Sequence, residues 1–175
     1  MATIKRKGFG QVEPNHISGN VDGSIYAQRP IDTGVMGKII ENGRFAKYAV
    51  DKVTTEGDFP WLMIYNEVKL YDERENSLKD YAMKAVDFIG GELTPRLIEI
   101  NIGDIFTTNT FKEANTDNKS EVKTAVELNV GDKVKILENG YLDAGAADPG
   151  QPEFTVVKVY TMPDGQDAVK LQRTK

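Results

Sequence analysis

The sequence predicts a mainly β protein: one or two small SH3-like or OB-like β-barrels, an extended N-terminal arm and at most one short helix. Three observations carry that prediction. Short runs of aliphatic, aromatic and β-branched residues fill residues 35–175, and Asn-Gly, Gly-Asp and Asp-Gly turn dipeptides separate them. Two phrases recur: "IIENGRF" at 39–45 echoes "ILENGYL" at 136–142, and "EINIGDIF" at 99–106 echoes "ELNVGDKV" at 127–134. Only one stretch, residues 75–91, places its apolar residues at helical spacing.

Residues 1–34 differ in texture from the rest. Gly, Pro, Asn and Asp come every few positions, and the apolar residues Val12, Ile17, Val21, Ile25 and Tyr26 stand isolated. A segment of this composition cannot build its own core, so it is either disordered or an extended arm ordered against a neighbour. From Val35, "VMGKII" leads into Asn42-Gly43, the dipeptide best suited to a type I′ hairpin, and "RFAKYAV" reads as the returning strand. "WLMIYNEVKLYD" at 61–72 reads as a long, substantially buried strand.

In "ENSLKDYAMKAVDFIGG", Leu78, Tyr81, Ala82, Ala85, Val86 and Ile89 fit one helix, with Asn76 or Ser77 as cap and Gly90-Gly91 as stop; an irregular excursion is the alternative. Residues 92–111 give two strands split near 101–104. The polar run "KEANTDNKSEVK" reads as a linker or exposed loop, which places a boundary near Asn118. The rest forms a compact set of strands broken by "DAGAADPGQ" and "MPDGQ". The organisation expected is an arm (1–34), a first barrel-like domain (35–118) and a second, smaller one (119–175). The echoed phrases suggest two related barrels or one barrel of two similar halves, unless popular turn motifs have simply coincided.

Composition narrows the function. A net charge of −5 argues against general attraction to nucleic acid, and the only basic cluster is Lys5, Arg6 and Lys7. The absence of cysteine excludes disulfides and thiolate metal sites. No run approaches the roughly 18 apolar residues of a membrane span and no signal-like segment opens the chain, so a soluble, unprocessed protein made in the cytoplasm is expected. The single histidine, His16, rules out multi-His metal sites and leaves little room for His-dependent nucleophiles.

The carboxylates Asp72, Glu73, Glu75, Asp143 and Asp148 lie in polar, turn-like surroundings, where a solvated surface is the better reading than paired acid–base groups. "NTDNKSE" and "NVDGS" lack a complete calcium-loop pattern, and "GFG" and "IGGE" lack phosphate-loop spacing. Trp61, Tyr65 and Tyr71 read as core packing before a sugar or base platform. These features together indicate a scaffold or binding module, with no enzyme activity and no cofactor or metal.

The runs "WLMIYNEVKLYDERENSLKDYAMKAVDF", "PRLIEINIGDIFTTNTF" and "FTVVKVYTMPDGQDAVKLQ" resemble accessory head proteins of tailed phages infecting Gram-positive bacteria: capsid decoration, cement or head-fibre components. The likeness covers most of the chain from Val35 onward and lies in strand and turn phrases. It implies a virion protein on the capsid surface that binds the major capsid protein, forms a possible homo-oligomer and reinforces capsomer contacts, with no nucleic-acid or membrane partner. The arm then becomes the expected contact, through Val12, His16, Ile17, Ile25, Tyr26 and Arg29, by strand addition. The alternative is a host-surface or polysaccharide binding module with Trp61, Tyr141 and Tyr160 on one open face.

Overall fold

The computed structural model describes residues 2–4, 10–18, 25–26, 39–46, 61–66, 82–84, 95–111, 126–162 and 165–175. They are mainly β, with every strand pairing antiparallel. In chain order the strands are β1 (Ala2–Ile4), β2 (Val12–His16), β3 (Ile25–Tyr26), β4 (Ile39–Glu41), β5 (Phe45–Ala46), β6 (Leu62–Ile64) and β7 (Ala82–Lys84). There follow β8 (Leu97–Ile98), β9 (Ile105–Thr108), β10 (Val126–Leu128), β11 (Lys133–Ile136), β12 (Leu142–Ala144), β13 (Phe154–Thr161) and β14 (Asp167–Arg173). A six-stranded sheet has the order β12-β11-β13-β14-β9-β2 and a four-stranded sheet the order β3-β8-β6-β5, while β1-β10 and β4-β7 form two pairs.

The six-stranded sheet draws β2 from the expected arm, β9 from the expected first domain and β11 to β14 from the expected second, so its hydrogen bonds cross both boundaries read from the sequence. Its far edge is met by the chain beyond β9: Phe111 bridges Leu142 in parallel fashion, with Leu142 N–H donating to Thr110 O at 3.2 Å. One hydrophobic core joins the two large sheets. Phe45 of β5 packs against Phe106 of β9 and Phe154 of β13 at ring-centroid distances of 6.3 and 5.3 Å, and Phe106 meets Phe154 edge-on at 5.5 Å. Ile17, Met63, Ile98, Val134, Leu142, Val169 and Leu171 complete that core.

Three local expectations are corrected. Within the predicted helix, Ala82–Lys84 runs as strand β7 against β4, in register Ile40↔Met83. Pairing to a segment distant in sequence sets its backbone, which spacing within 75–91 cannot report; the remaining residues of that stretch lie outside those described. Asn42-Gly43 does form a tight turn, with Gly43 at φ 83°, but it joins no hairpin, since β4 pairs with β7 and β5 with β6. It is a corner between sheets. Of the long strand read at 61–72, Leu62–Ile64 is strand, Trp61, Tyr65 and Asn66 are not, and residues 67–72 are not described.

The second Asn-Gly is a true hairpin turn: Ile136 pairs with Leu142, and Gly140, at φ 80°, donates its N–H to Leu137 O. The Asn-aliphatic-Gly-Asp echo is reproduced in structure almost bond for bond. In each copy the Asp carboxylate accepts the Asn N–H, Asn101 to Asp104 at 2.8 Å and Asn129 to Asp132 at 2.7 Å. In each copy the Gly N–H then donates to a neighbouring strand, Gly103 to Arg173 O and Gly131 to Val156 O, at 2.9 and 2.8 Å. That strand donates back to the Asp carbonyl, from Arg173 and Val156 respectively.

Candidate functional site

The two Glu-Asn-Gly turns, about a hundred residues apart in the chain, meet in space. Phe45 N–H donates to Gly140 O at 2.8 Å, and the Arg44 guanidinium donates from both Nε and a terminal nitrogen to Asn139 O. Tyr141 Oη donates to Glu41 Oε1 at 2.5 Å, and the Arg44 guanidinium carbon lies 4.3 Å from the centre of the Tyr141 ring. Glu41 and Arg44 are only 1% and 2% exposed, which is unusual for charged side chains. Burial pushes the Arg44 guanidinium below its ordinary pKa, and Tyr141 acts against that shift. The carbonyl bonds and the aromatic face compensate the desolvation of this cation.

The arm is clamped into the same place. Gly10 N–H donates to Glu41 Oε2 at 2.5 Å, Gln11 N–H to Asn109 Oδ1 at 2.8 Å, and Thr108 Oγ1 to Gln11 O at 2.7 Å. Thr110 Oγ1 donates to Asn42 O at 2.8 Å, so that a threonine pair fills the angle between the arm and the first turn. There is no room for side chains at either glycine. A Cβ at Gly10 would stand 2.4 Å from Asn42 O, and one at Gly43 would stand 2.4 Å from Thr110 Oγ1. At the other end of β2, Ser18 donates from N–H and Oγ to the two Asp104 carboxylate oxygens, each at 3.0 Å, and Asn101 Nδ2 donates to Ser18 Oγ.

This arrangement locates the residues expected at a partner contact. Ile17 is 2% exposed and belongs to this chain's own core, and Val12 packs partly buried against it. His16 is exposed beside Asn15 on the margin of the six-stranded sheet. Ile25 and Tyr26 form β3 at the margin of the four-stranded sheet, and Arg29 lies outside the described residues. The arm's described strands are therefore added to sheets of the same chain. Pro14 and the bulge between Glu13 and His16 guard the outer edge of β2 against further pairing.

The aromatic trio does not assemble into an open platform. Tyr141 is 5% exposed with its hydroxyl engaged by Glu41, and Trp61 packs with Tyr65 against the core. Asp143 is half-buried and the exposed Asp148 lies 3.9 Å from Lys135, while Asp72, Glu73, Glu75 and Tyr71 fall outside the described residues. Among the described residues no three His, Cys, Asp or Glu side chains come together to hold a metal ion, and no helix is long and apolar enough to cross a membrane.

Glu41, Arg44 and Tyr141 carry no motif of their own. The duplicated phrase is the one signal in the sequence that marks them, because each copy supplies half of the junction. Comparison of the chain with protein-family models, with curated proteins and with solved structures gave no match.

Proposed function

We propose that the chain is a virion structural protein that binds the outer surface of an assembled phage head as a decoration or cement protein, without enzymatic activity, and reinforces contacts between copies of the major capsid protein. The observation that carries this reading is the placement of the arm. Strands β2 and β3 lie at the margins of sheets built by the rest of the chain and β1 pairs with β10, which leaves Asn15 and His16 exposed at the rim of the six-stranded sheet. A contact of that kind offers little affinity per copy, and the many equivalent positions of a shell raise it through avidity.

We infer also that β9 and β11 to β14 curl into a small SH3-like barrel. Support comes from the bridge between Phe111 and Leu142, which carries the chain beyond β9 to the strand at the opposite edge of the sheet.

Cosedimentation tests the functional reading. The purified chain is expected to pellet with assembled heads in a fixed ratio to the capsid protein, and to stay in the supernatant with unassembled capsid subunits. Absence from purified particles, or equal binding to free subunits, overturns it. Removing residues 1–30 is a poor test, since it strips Ile17 from the core and Gly10 from Glu41. The informative change is at His16, whose side chain is exposed, whereas Asn15 accepts a hydrogen bond from the buried Thr107 hydroxyl and serves the fold as well.

A further inference from the structure

The outer face of the β13–β14 ribbon carries a pair of lysines set against each other. Val169 and Leu171 are buried in the core, so the alternation of the strand turns Lys170 to the opposite face. Its direct cross-strand partner there is Lys158. Like charges directly opposite one another on a sheet are destabilising, and on a chain with 27 acidic against 22 basic residues this juxtaposition is not forced by composition.

Both ammonium groups converge on one ring. Lys158 Nζ lies 5.9 Å and Lys170 Nζ 5.6 Å from the centre of Tyr160. Other lysines of the sheet are neutralised within the chain, Lys133 by Glu153 at 2.9 Å and Lys135 by Asp148 at 3.9 Å. Among the described residues no carboxylate forms an ion pair with Lys158 or Lys170. Val157, at the bulge beside them, is 40% exposed and adds an apolar contact.

From this geometry we infer that Lys158, Tyr160 and Lys170, with Val157, form a docking patch for a protein surface that presents adjacent carboxylates. Charge complementarity selects the occupant. Two ammonium groups over one ring match two acid side chains close together, each able to take one cation. A nucleic acid would need a longer basic track, and the net charge of −5 repels it. The inference rests on the proposed function only in naming the capsid surface as the source of those carboxylates.

The test is an amide NMR titration of the full chain with the peptide Ac-Gly-Glu-Glu-Gly-NH2, with inorganic phosphate and duplex DNA as parallel arms. Salt-sensitive shifts are expected at residues 157–160 and 168–170 with the peptide, about tenfold weaker in the K158Q/K170Q chain, as two exposed ion pairs imply. That variant should unfold at the same temperature as the parent or higher, because the like-charge pair is gone. Shifts spread over all surface lysines, shifts unchanged in K158Q/K170Q, or phosphate or DNA binding the patch as well as the peptide overturn the inference. Head cosedimentation is a separate measurement. Heads that bind parent and variant equally remove the capsid as the source of the carboxylates and leave the capsid reading standing, whereas heads that bind neither refute the capsid reading; in both cases the titration decides the patch.

Discussion

Gly43 and Gly131 both adopt a positive φ, 83° and 94°, yet replacing each by alanine should have very different effects. At Gly131 a Cβ meets nothing within 4 Å, so Gly131→Ala carries only the cost of a left-handed conformation, roughly 1–2 kcal/mol, partly offset by the lower entropy of the unfolded alanine chain. A net loss of about 1 kcal/mol follows. At Gly43 the same Cβ would stand 2.4 Å from Thr110 Oγ1, 2.6 Å from Thr108 Oγ1 and 2.9 Å from Val12 Cγ2.

Neither hydroxyl is free to move. Thr110 holds the Asn42 carbonyl and Thr108 the Gln11 carbonyl, and both threonines are fully buried. Displacing them leaves the buried Gln11 carbonyl and the part-buried Asn42 carbonyl unsatisfied at about 1–2 kcal/mol each, so with about 1 kcal/mol for the left-handed conformation Gly43→Ala should cost about 3–5 kcal/mol in all. With a urea dependence of about 2 kcal/mol/M, the midpoint should fall by about 2 M for Gly43→Ala and about 0.5 M for Gly131→Ala. In a Thr110→Ala background the cost of Gly43→Ala should shrink by at least about 1 kcal/mol, a coupling that a double-mutant cycle measures. Equal midpoint shifts for the two glycine variants would refute the close packing of arm, turn and threonines.

Tyr141→Phe keeps the ring over Arg44 but deprives the buried Glu41 carboxylate of the donor to Oε1, so urea denaturation should show a loss of about 1.5–3 kcal/mol; a loss below about 0.5 kcal/mol would mean that Glu41 does not depend on the phenol. The twin Asn-aliphatic-Gly-Asp turns offer an internal comparison. Asp104 holds Ser18 as well as Asn101, so Asp104→Ala should cost about 2–3 kcal/mol, against about 1 kcal/mol for Asp132→Ala. The Lys133 side chain holds the Glu153 carboxyl below its ordinary range, slight burial opposes this, and Ala147 N–H adds to it. A carboxyl shifted in that direction stabilises the fold above the ordinary carboxyl pKa, and the contribution fades as the pH falls through the lower folded value. In Lys133→Gln the Glu153 carboxyl-carbon titration seen by NMR should move up; an unchanged midpoint would remove Lys133 as the cause.

What was legible in the sequence was local. The Asn-aliphatic-Gly-Asp phrase encodes a complete turn, with a glycine for the left-handed position and an Asp that caps the turn from within, so both copies fold alike. Asn42-Gly43 likewise announces a turn, but a dipeptide specifies backbone angles and not which strands pair afterwards; β4 and β5 leave it for different sheets. The apolar spacing of Leu78 to Ile89 suits a helix, yet Ala82–Lys84 is a strand because its partners, Ile39–Glu41, lie far back in the chain. Ile17 looked stranded in a polar segment because the core it joins is built by residues such as Phe106 and Leu171. Nothing in the sequence neighbours of Glu41 and Arg44 reveals that a second turn will cover them.

The clamp on the arm has a consequence for synthesis. Gln11 waits for Asn109, 98 residues later, and Glu41 waits for Tyr141, 100 residues later. At a translation rate of about 5–20 residues per second, the segment holding Gln11 leaves the ribosome roughly 5–20 s before its partner exists. The clamp therefore cannot close until Tyr141 has been made. The first residues to emerge are among the last to settle, and folding is correspondingly slow for a chain of this size.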